Sequence, residues 1–284
     1  MKPASYAYHR ASDVRDAVEL LAGLGEDAKI LAGGQSLVPM MNFRLARPTA
    51  LVDVGRVDGL SYVRRDGDAL RIGALTTHRT VETTGVEGFG VLPRAARWIG
   101  HYPIRARGTI GGSVAHADAT AEWCVLAVLL DAVIVAESVR GRREIAAAEF
   151  FLGTFTTALE PDEMVVEVVF PAPAPYAAMT EFAQRKGDFA IVAAAVAVDL
   201  SPDGRVSGAR VALGGVDATP VRVDAAEHTL TGAVPGEAAF AEAADAASRA
   251  IAPGGDIHGG PEYRRRLTRT LVTRALLEAT EGAR

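Results

Sequence analysis

Two short segments of the 284-residue chain combine side-chain-poor backbone with small polar groups. Ala32-Gly33-Gly34-Gln35-Ser36 follows a brief apolar run, and Thr109-Ile110-Gly111-Gly112-Ser113 repeats the pattern far along the sequence. Consecutive amides in a glycine turn can converge on one anionic oxygen, with Gln35 and Ser36 adding side-chain donors. Two such turns brought together would hold both phosphates of a dinucleotide. The plainer alternative is a tight turn in which glycine only admits an unusual φ. Neither segment has GxGxxG spacing or is followed by an acidic residue on a second strand, which argues against a Rossmann nicotinamide site. GxxxxGK[ST] and GxSxG do not occur either, which removes P-loop nucleotidases and elbow-type serine hydrolases.

Other residues gather near these segments. Asp118 and Glu122, with His116, follow the second; their carboxylates suit ribose or ribityl hydroxyls, or simply the start of a helix. Arg185-Lys186-Gly187-Asp188-Phe189 offers a cation and an aromatic to a planar cofactor, or is a solvated charged turn. Arg264, Arg265, Arg266, Arg269 and Arg274 lie opposite a stripe of Tyr263, Leu267, Leu271 and Ala275 and read as a wet helix face.

The elements that must position these residues are legible in outline. Ser12 caps a helix carrying Val14, Ala17, Val18 and Leu21 at helical spacing, and Gly23 and Gly25 stop it. Strands follow at Lys29–Ala32, which ends at Gly33-Gly34, and at Ala50–Val54, after Pro48. Leu60–Arg64 and Leu70–Ala74 form a hairpin through Asp66-Gly67. Helices over Thr77–Thr83 and through Val91, Ala95 and Ile99 precede the second glycine segment, and Ala132–Ala136 and Met164–Phe170 read as strands. Pro171, Pro173 and Pro175 mark a stiff linker. Beyond it, strands Phe189–Leu200 and Arg205–Leu213 precede helices Glu237–Ile251 and Pro261–Glu278, an α+β arrangement.

Composition narrows the function. With 49% hydrophobic and 23% charged residues, the chain supports packed domains, and its net charge of -5 makes phosphate backbones and anionic lipid poor partners. Its apolar runs fall short of the roughly 20 residues of a bilayer span, and its start has no signal-peptide core, so a cytoplasmic protein is expected. Cys124 is alone and makes neither an internal disulfide nor a four-thiolate cluster; any iron-sulfur cluster belongs to another chain. The 6 histidines are scattered, which disfavours a bound metal.

Five ordered stretches carry a resemblance: Lys29–Thr49, Arg105–Trp123, FFLGTFTTALEPDEMVVEV from Phe150, RKGDFAIVAAAV from Arg185 and DIHGGPEYRRRLTRTLVTRAL from Asp256. Together they resemble the FAD-binding medium subunit of molybdenum hydroxylases, nearest in look to the aerobic carbon monoxide dehydrogenase type within the xanthine dehydrogenase family. Ala119 and Cys124 stand where relatives often have proline, and Ala106 where asparagine is common.

The resemblance implies an α+β fold: two FAD-binding subdomains of the vanillyl-alcohol-oxidase (PCMH) type at 1–55 and 56–175, and a carbon monoxide dehydrogenase flavoprotein domain at 176–284. It implies that Leu31, Ala32, Gly33, Gly34, Gln35, Ser36 and Leu37, with Thr109, Ile110, Gly111, Gly112 and Ser113, bind the FAD pyrophosphate and neighbouring groups. Asp118 and Glu122 match the acidic positions after the second segment, and Lys186 would lie near the flavin ring with Phe189 as its rival. No histidine or cysteine falls within either glycine segment, so FAD is expected to be non-covalent. Implied partners are a large molybdopterin subunit and a small 2Fe-2S subunit, in a dimer of heterotrimers, with electrons passing from the 2Fe-2S clusters through FAD to an outside acceptor. Two alternatives stand beside this: a self-sufficient FAD oxidase, and a non-enzymatic nucleotide-binding protein.

Overall fold

A computed structural model describes residues 2–281. The first unit holds β1 (Ala7–Arg10), α1 (Val14–Leu24), β2 (Ala28–Leu31), α2 (Leu37–Asn42) and β3 (Ala50–Asp53). Its strands form a parallel sheet in the order β1-β3-β2, with Leu31 opposite Asp53. Parallel neighbours need a crossover, and here α2 supplies it, so Gly33 and Gly34 leave β2 at the carboxyl edge where such sheets collect ligands. Ala17, Val18 and Leu21 of α1 are buried as their spacing predicts. The cap is Asp13 rather than Ser12: its carboxylate accepts the Asp16 amide, while the Ser12 amide and hydroxyl both donate to the Asp16 carboxylate. β3 does end on an acidic residue, Asp53, contrary to expectation. Its carboxylate is taken by the Tyr8 hydroxyl and the Gly55 amide, so the case against a Rossmann site rests on glycine spacing.

The middle unit runs through β4 (Val63–Asp66), β5 (Ala69–Gly73), α3 (His78–Thr83), α4 (Val91–Ala96), α5 (Tyr102–Arg105), α6 (Ile110–His116) and α7 (Glu122–Leu129). It continues with β6 (Val133–Ser138), β7 (Gly141–Ala146), α8 (Ala147–Phe150), β8 (Phe151–Gly153), β9 (Thr156–Thr157) and β10 (Met164–Phe170). Its main sheet is antiparallel in the order β4-β5-β10-β6-β7. Val135, Met164, Val166 and Val169 share a core with the first unit, while Ile134, Val165, Val168 and Phe170 face the opposite core. α7 is apolar all round, and Trp123 through Leu129 are all buried, which is what a helix enclosed on every side requires.

After Phe170 the chain passes Pro171, Pro173 and Pro175. Ala174 donates to the Gly88 carbonyl, and the Pro173 ring packs where a Cβ on Gly88 would stand. The third unit comprises β11 (Ala177–Phe182), β12 (Val192–Leu200), β13 (Val206–Gly214), β14 (Val221–Arg222), α9 (Asp224–Leu230), α10 (Glu237–Ala250) and α11 (Pro261–Thr280). Its sheet is antiparallel in chain order. Along β12, Ala193, Ala195 and Ala197 join the core containing α7, whereas Val192, Ala194, Val196 and Val198 meet α10 and α11. No described helix is long and apolar enough to cross a membrane.

Two expectations fail here. β12 begins at Val192 instead of Phe189, because residues 185–188 form a turn with Gly187 at φ 87°. Arg264 is not on the wet face: it is buried, donating to the carbonyls of Ile191 and Gly215 and to the Asp256 carboxylate. The guanidinium ties α11 to the segments flanking β12 and β13 through a planar fork of donors that a lysine's single ammonium cannot spread over three acceptors. Replacing Arg264 by leucine leaves two carbonyls and a carboxylate without their donor and is expected to lower stability by about 3 kcal/mol, read as a shift in urea midpoint.

Candidate functional site

The two glycine segments, 76 positions apart at Gly33 and Thr109, meet in space. A Cβ built on Gly33 would stand 2.1 Å from the Arg107 carbonyl oxygen and 2.9 Å from the Gly108 Cα, a position only glycine tolerates. Gly112 faces the same junction, its Cβ position 3.9 Å from the Ala32 Cβ. Gly34 takes φ 71°, turning the chain into α2. Among the described residues, the amides of Gly33, Gly34, Gln35 and Ser36 donate to no protein group, while the Gln35 side-chain amide braces the turn from within by donating to the Gly33 carbonyl at 2.9 Å. Ser36 opens α2 without its hydroxyl capping the helix. Half-buried unpaired amides in succession make a nest for an anion.

The second segment works differently from its sequence reading. It is the first turn of α6, not a loop, and Thr109 is its cap. Ile110 donates to Thr76, Gly111 to Ala74, Gly112 to the Thr109 hydroxyl at 3.1 Å and Ser113 to the Thr109 carbonyl. Gly111 is there for packing, since its Cβ would stand 2.8 Å from the Ala74 carbonyl oxygen and Cα. What this segment offers a ligand is the exposed backbone face at Gly112, the Ser113 side chain and the Thr109 hydroxyl, whose own proton is left to donate once its oxygen has accepted the Gly112 amide.

Behind the junction stands a support that sequence reasoning missed. His78 lies so close that a Cβ on Gly108 would stand 2.6 Å from its Nε2, and its backbone amide donates to the Gly108 carbonyl. Its Nδ1 accepts the Trp123 indole proton at 2.9 Å, and burial pushes the imidazole down to about 4. A neutral ring that accepts at Nδ1 carries its proton on Nε2, toward the glycine segment. A Gly-rich turn gives no local signal for a residue 30 positions earlier.

Asp118 accepts from the amide and hydroxyl of Thr120 and so shapes the approach to α7, leaving its second oxygen free of partners among the described residues. Glu122 opens α7 and stands near Glu181 of β11, another residue the sequence did not single out. Burial pushes Glu122 up from its ordinary value, with the Glu181 charge adding to it, and burial pushes Glu181 up as well. One Glu181 oxygen is buried without a partner. His116 stacks on Phe155 with ring centroids 4.8 Å apart, and burial pushes its imidazole down against the opposing charge of Asp118. Cys124 is fully buried, its thiol 3.7 Å from the Ser113 carbonyl and pushed up by burial and by the charges of Asp118 and Glu122.

The 185–189 segment docks onto the middle unit at its glycine: a Cβ on Gly187 would stand 2.6 Å from the His101 imidazole and 3.0 Å from the Gly100 carbonyl. Lys186 is exposed and makes no hydrogen bond to the described residues. Phe189, 69% exposed, lines a cavity of about 770 Å³ whose other walls include Asp118, Thr120, Ile191, Gly215 and Arg264. The turn therefore reaches the neighbourhood of the acidic residues through Phe189, with no contact placing Lys186 against either glycine segment.

A parallel sheet opening onto an anion nest, clasped by a helix start from a second α+β unit and flanked by a cavity against a third, defines a dinucleotide-binding protein of the two-lobed flavoprotein class. Residues 4–173 match the family described as FAD binding domain in molybdopterin dehydrogenase, and residues 177–279 match the CO dehydrogenase flavoprotein C-terminal domain. The chain belongs to the FAD-binding medium subunits of the molybdenum hydroxylase family. It is 43% identical to the 6-hydroxypseudooxynicotine dehydrogenase complex subunit alpha of Paenarthrobacter nicotinovorans, over 100% of this chain and 97% of that protein. To the carbon monoxide dehydrogenase medium chain of Hydrogenophaga pseudoflava it is 37% identical, over 97% of each. Among solved structures, a chain of quinoline 2-oxidoreductase from Pseudomonas putida 86 superposes with a TM-score of 0.95 at 36% identity, covering 100% of this chain and 99% of that one.

The raised carboxyls set a pH dependence. The folded chain retains protons at Glu122 and Glu181 that the unfolded chain releases above its ordinary carboxylate pKa of 4.5, so this pair lowers stability as pH rises toward neutrality and beyond. Glu181→Gln removes the Glu181 share of that dependence and the Glu181 charge acting on Glu122, while the desolvation of Glu122 stays. Its thermal midpoint relative to the unaltered chain should climb between about pH 5 and about pH 8, and a pH-independent gap would contradict the assignment.

Proposed function

We propose that this chain is the electron relay of a molybdenum hydroxylase complex, holding FAD non-covalently between the Leu31–Leu37 segment and the start of α6. The observation that carries the reading is the row of unpaired amides at Gly33–Ser36, held against Arg107, Gly108 and Gly112 by glycines that leave no room for a side chain. A diphosphate fits that donor set: four amides in succession, the Ser36 and Ser113 side chains and the free proton of Thr109 meet its charge without any lysine. FAD, when bound, supplies a carrier that accepts electrons singly and releases them in pairs.

The chain's own residues bind and orient. Leu31, Ala32 and Leu37 frame the nest, and Ile110 and Gly111 anchor α6 so that Gly112 and Ser113 face it. The free oxygen of Asp118 accepts a ribose or ribityl hydroxyl. Glu122, kept protonated by burial, can donate as well as accept at such a hydroxyl. Phe189 is favoured over Lys186 for contact with the ring, because Phe189 lines the cavity beside Asp118, where an external acceptor would also approach. Electrons enter from a small 2Fe-2S subunit, which receives them from a large molybdenum subunit. The working arrangement is a cytoplasmic dimer of heterotrimers, with this chain divided at 1–55, 56–175 and 176–284.

The reading is tested on the complex purified with its partners. Stoichiometric FAD absorbance is expected, and a colourless complex overturns it. Gly33→Val drives a side chain into the Arg107 carbonyl and is expected to abolish FAD retention, whereas Gly85→Ala, at a site with open space around it, should leave retention unchanged. Full retention in Gly33→Val would refute the nest.

A further inference from the structure

Three separated stretches of the sequence meet around the cavity beside Phe189. The approach to α7 supplies Asp118, the turn ahead of β12 supplies Asp188 and Phe189, and the chain leading into α11 supplies Gly254 and Asp256. At about 770 Å³ the cavity has the size of a small-molecule site, for which roughly 300–1,000 Å³ is usual. Phe189 offers it an exposed ring, and the buried side chains of Ile191 and Val216 add apolar wall. Its charge is one-sided. Four aspartates, Asp118, Asp188, Asp217 and Asp256, line it with a single arginine, Arg264. Asp256 is paired with that guanidinium at 2.7 Å, and the other three carboxylates form no ion pair among the described residues. Nor do any three acidic, histidine or cysteine side chains gather closely enough, among the described residues, to hold a metal ion. A recess lined by one sign of charge focuses its field, so this one disfavours phosphates, sulfonates and carboxylates.

The same wall holds an unanswered donor. Arg264 is 8% exposed; its two terminal nitrogens serve the Ile191 and Gly215 carbonyls and the Asp256 carboxylate, while its Nε–H is buried with no acceptor among the described residues. A buried donor without a partner costs free energy that an incoming oxygen recovers. An anion would answer this donor but meet the aspartates. A cation would suit the aspartates and leave the donor single. An uncharged carbonyl oxygen on a flat ring satisfies both conditions, with the ring laid against Phe189.

We propose that this cavity is the acceptor site of the relay and takes an uncharged quinone, its carbonyl oxygen toward Arg264 and its ring on Phe189, while turning away phosphate-bearing acceptors such as nicotinamide nucleotides. The acceptor role rests on the electron-relay reading. Two N–H bonds of the fully reduced flavin break and two O–H bonds form on the quinone, so two electrons and two protons pass together and the product leaves as a neutral hydroquinone.

The test is binding to the full chain by equilibrium dialysis, with duroquinone as the uncharged probe and anthraquinone-2-sulfonate and NAD as anionic ones. Duroquinone should bind, and NAD should bind at least about 10-fold more weakly. Asp188→Asn with Asp217→Asn, both outside the FAD contacts, should leave FAD content and duroquinone affinity as they were and raise affinity for the sulfonate about 10-fold. Added salt should do the same in the unaltered chain. Gly254→Trp, where a Cβ meets nothing within 4 Å, and Ala218→Trp, at an exposed position of the wall, should each lower duroquinone affinity about 10-fold without moving the thermal midpoint. In a chain carrying isotope-labelled arginine, the Arg264 Nε–H resonance should shift as duroquinone is added. Duroquinone affinity untouched by both tryptophans, or sulfonate affinity untouched by the asparagines, overturns the proposal. If duroquinone binds with this charge response to a chain that holds no FAD, the quinone site stands and the relay reading fails. If FAD is held and duroquinone does not bind, the quinone site alone fails.

Discussion

The Arg107 carbonyl occupies the place where a side chain at residue 33 would begin, and the rest of the site depends on that contact. It brings the exit of a parallel sheet against the start of α6 with nothing between them but backbone. The contact is the outermost layer of a stack that runs through the molecule. Gly33 rests on Arg107 and Gly108, Gly108 on His78, His78 on Trp123, and the helix carrying Trp123 on the alanine face of β12. Gly214 closes the far end, its Cβ position 2.7 Å from the Ala119 carbonyl. Each layer is thin because its residue is glycine, alanine or a flat ring, and packed interiors transmit a shift of one layer to the next.

The two glycine segments look alike in sequence and divide the work in the structure. The first keeps its amides free and so supplies hydrogen-bond donors without a net charge. The second spends its amides on Thr76, Ala74 and Thr109, and its glycines serve close approach instead. Positive potential comes from oriented backbone, which needs no counter-charge and loses no side-chain entropy on binding. Burial likewise disfavours the ionised forms of Glu122 and Glu181, which lowers the negative charge around the start of α7.

Much of this was legible in the chain. Hydrophobic spacing located α1, β10, β13 and α10 to within a few residues, and the glycine pairs marked the segments that meet. What was not legible depended on contacts between distant residues. Ser12 and Asp13 are both good caps, and only the reciprocal bonds with Asp16 decide between them. Thr109-Ile110-Gly111-Gly112 has poor helix propensity, and tertiary contacts to Ala74 and Thr76 impose the helix that composition argues against. Arg264 follows the same pattern as its exposed neighbours, and its burial comes from carbonyls of Ile191 and Gly215 that converge only once the third sheet has formed. His78 and Glu181 carry no motif at all; their roles come from the residues folded against them.

The lone thiol of Cys124 lies where oxidants do not reach it. Peroxide and disulfides react with the thiolate, and this sulfur is sealed inside α7, where burial and the nearby charge of Asp118 keep it protonated. The one cysteine thiol of the chain is therefore shielded from oxidants, and the same burial denies it any tether to another chain through a disulfide.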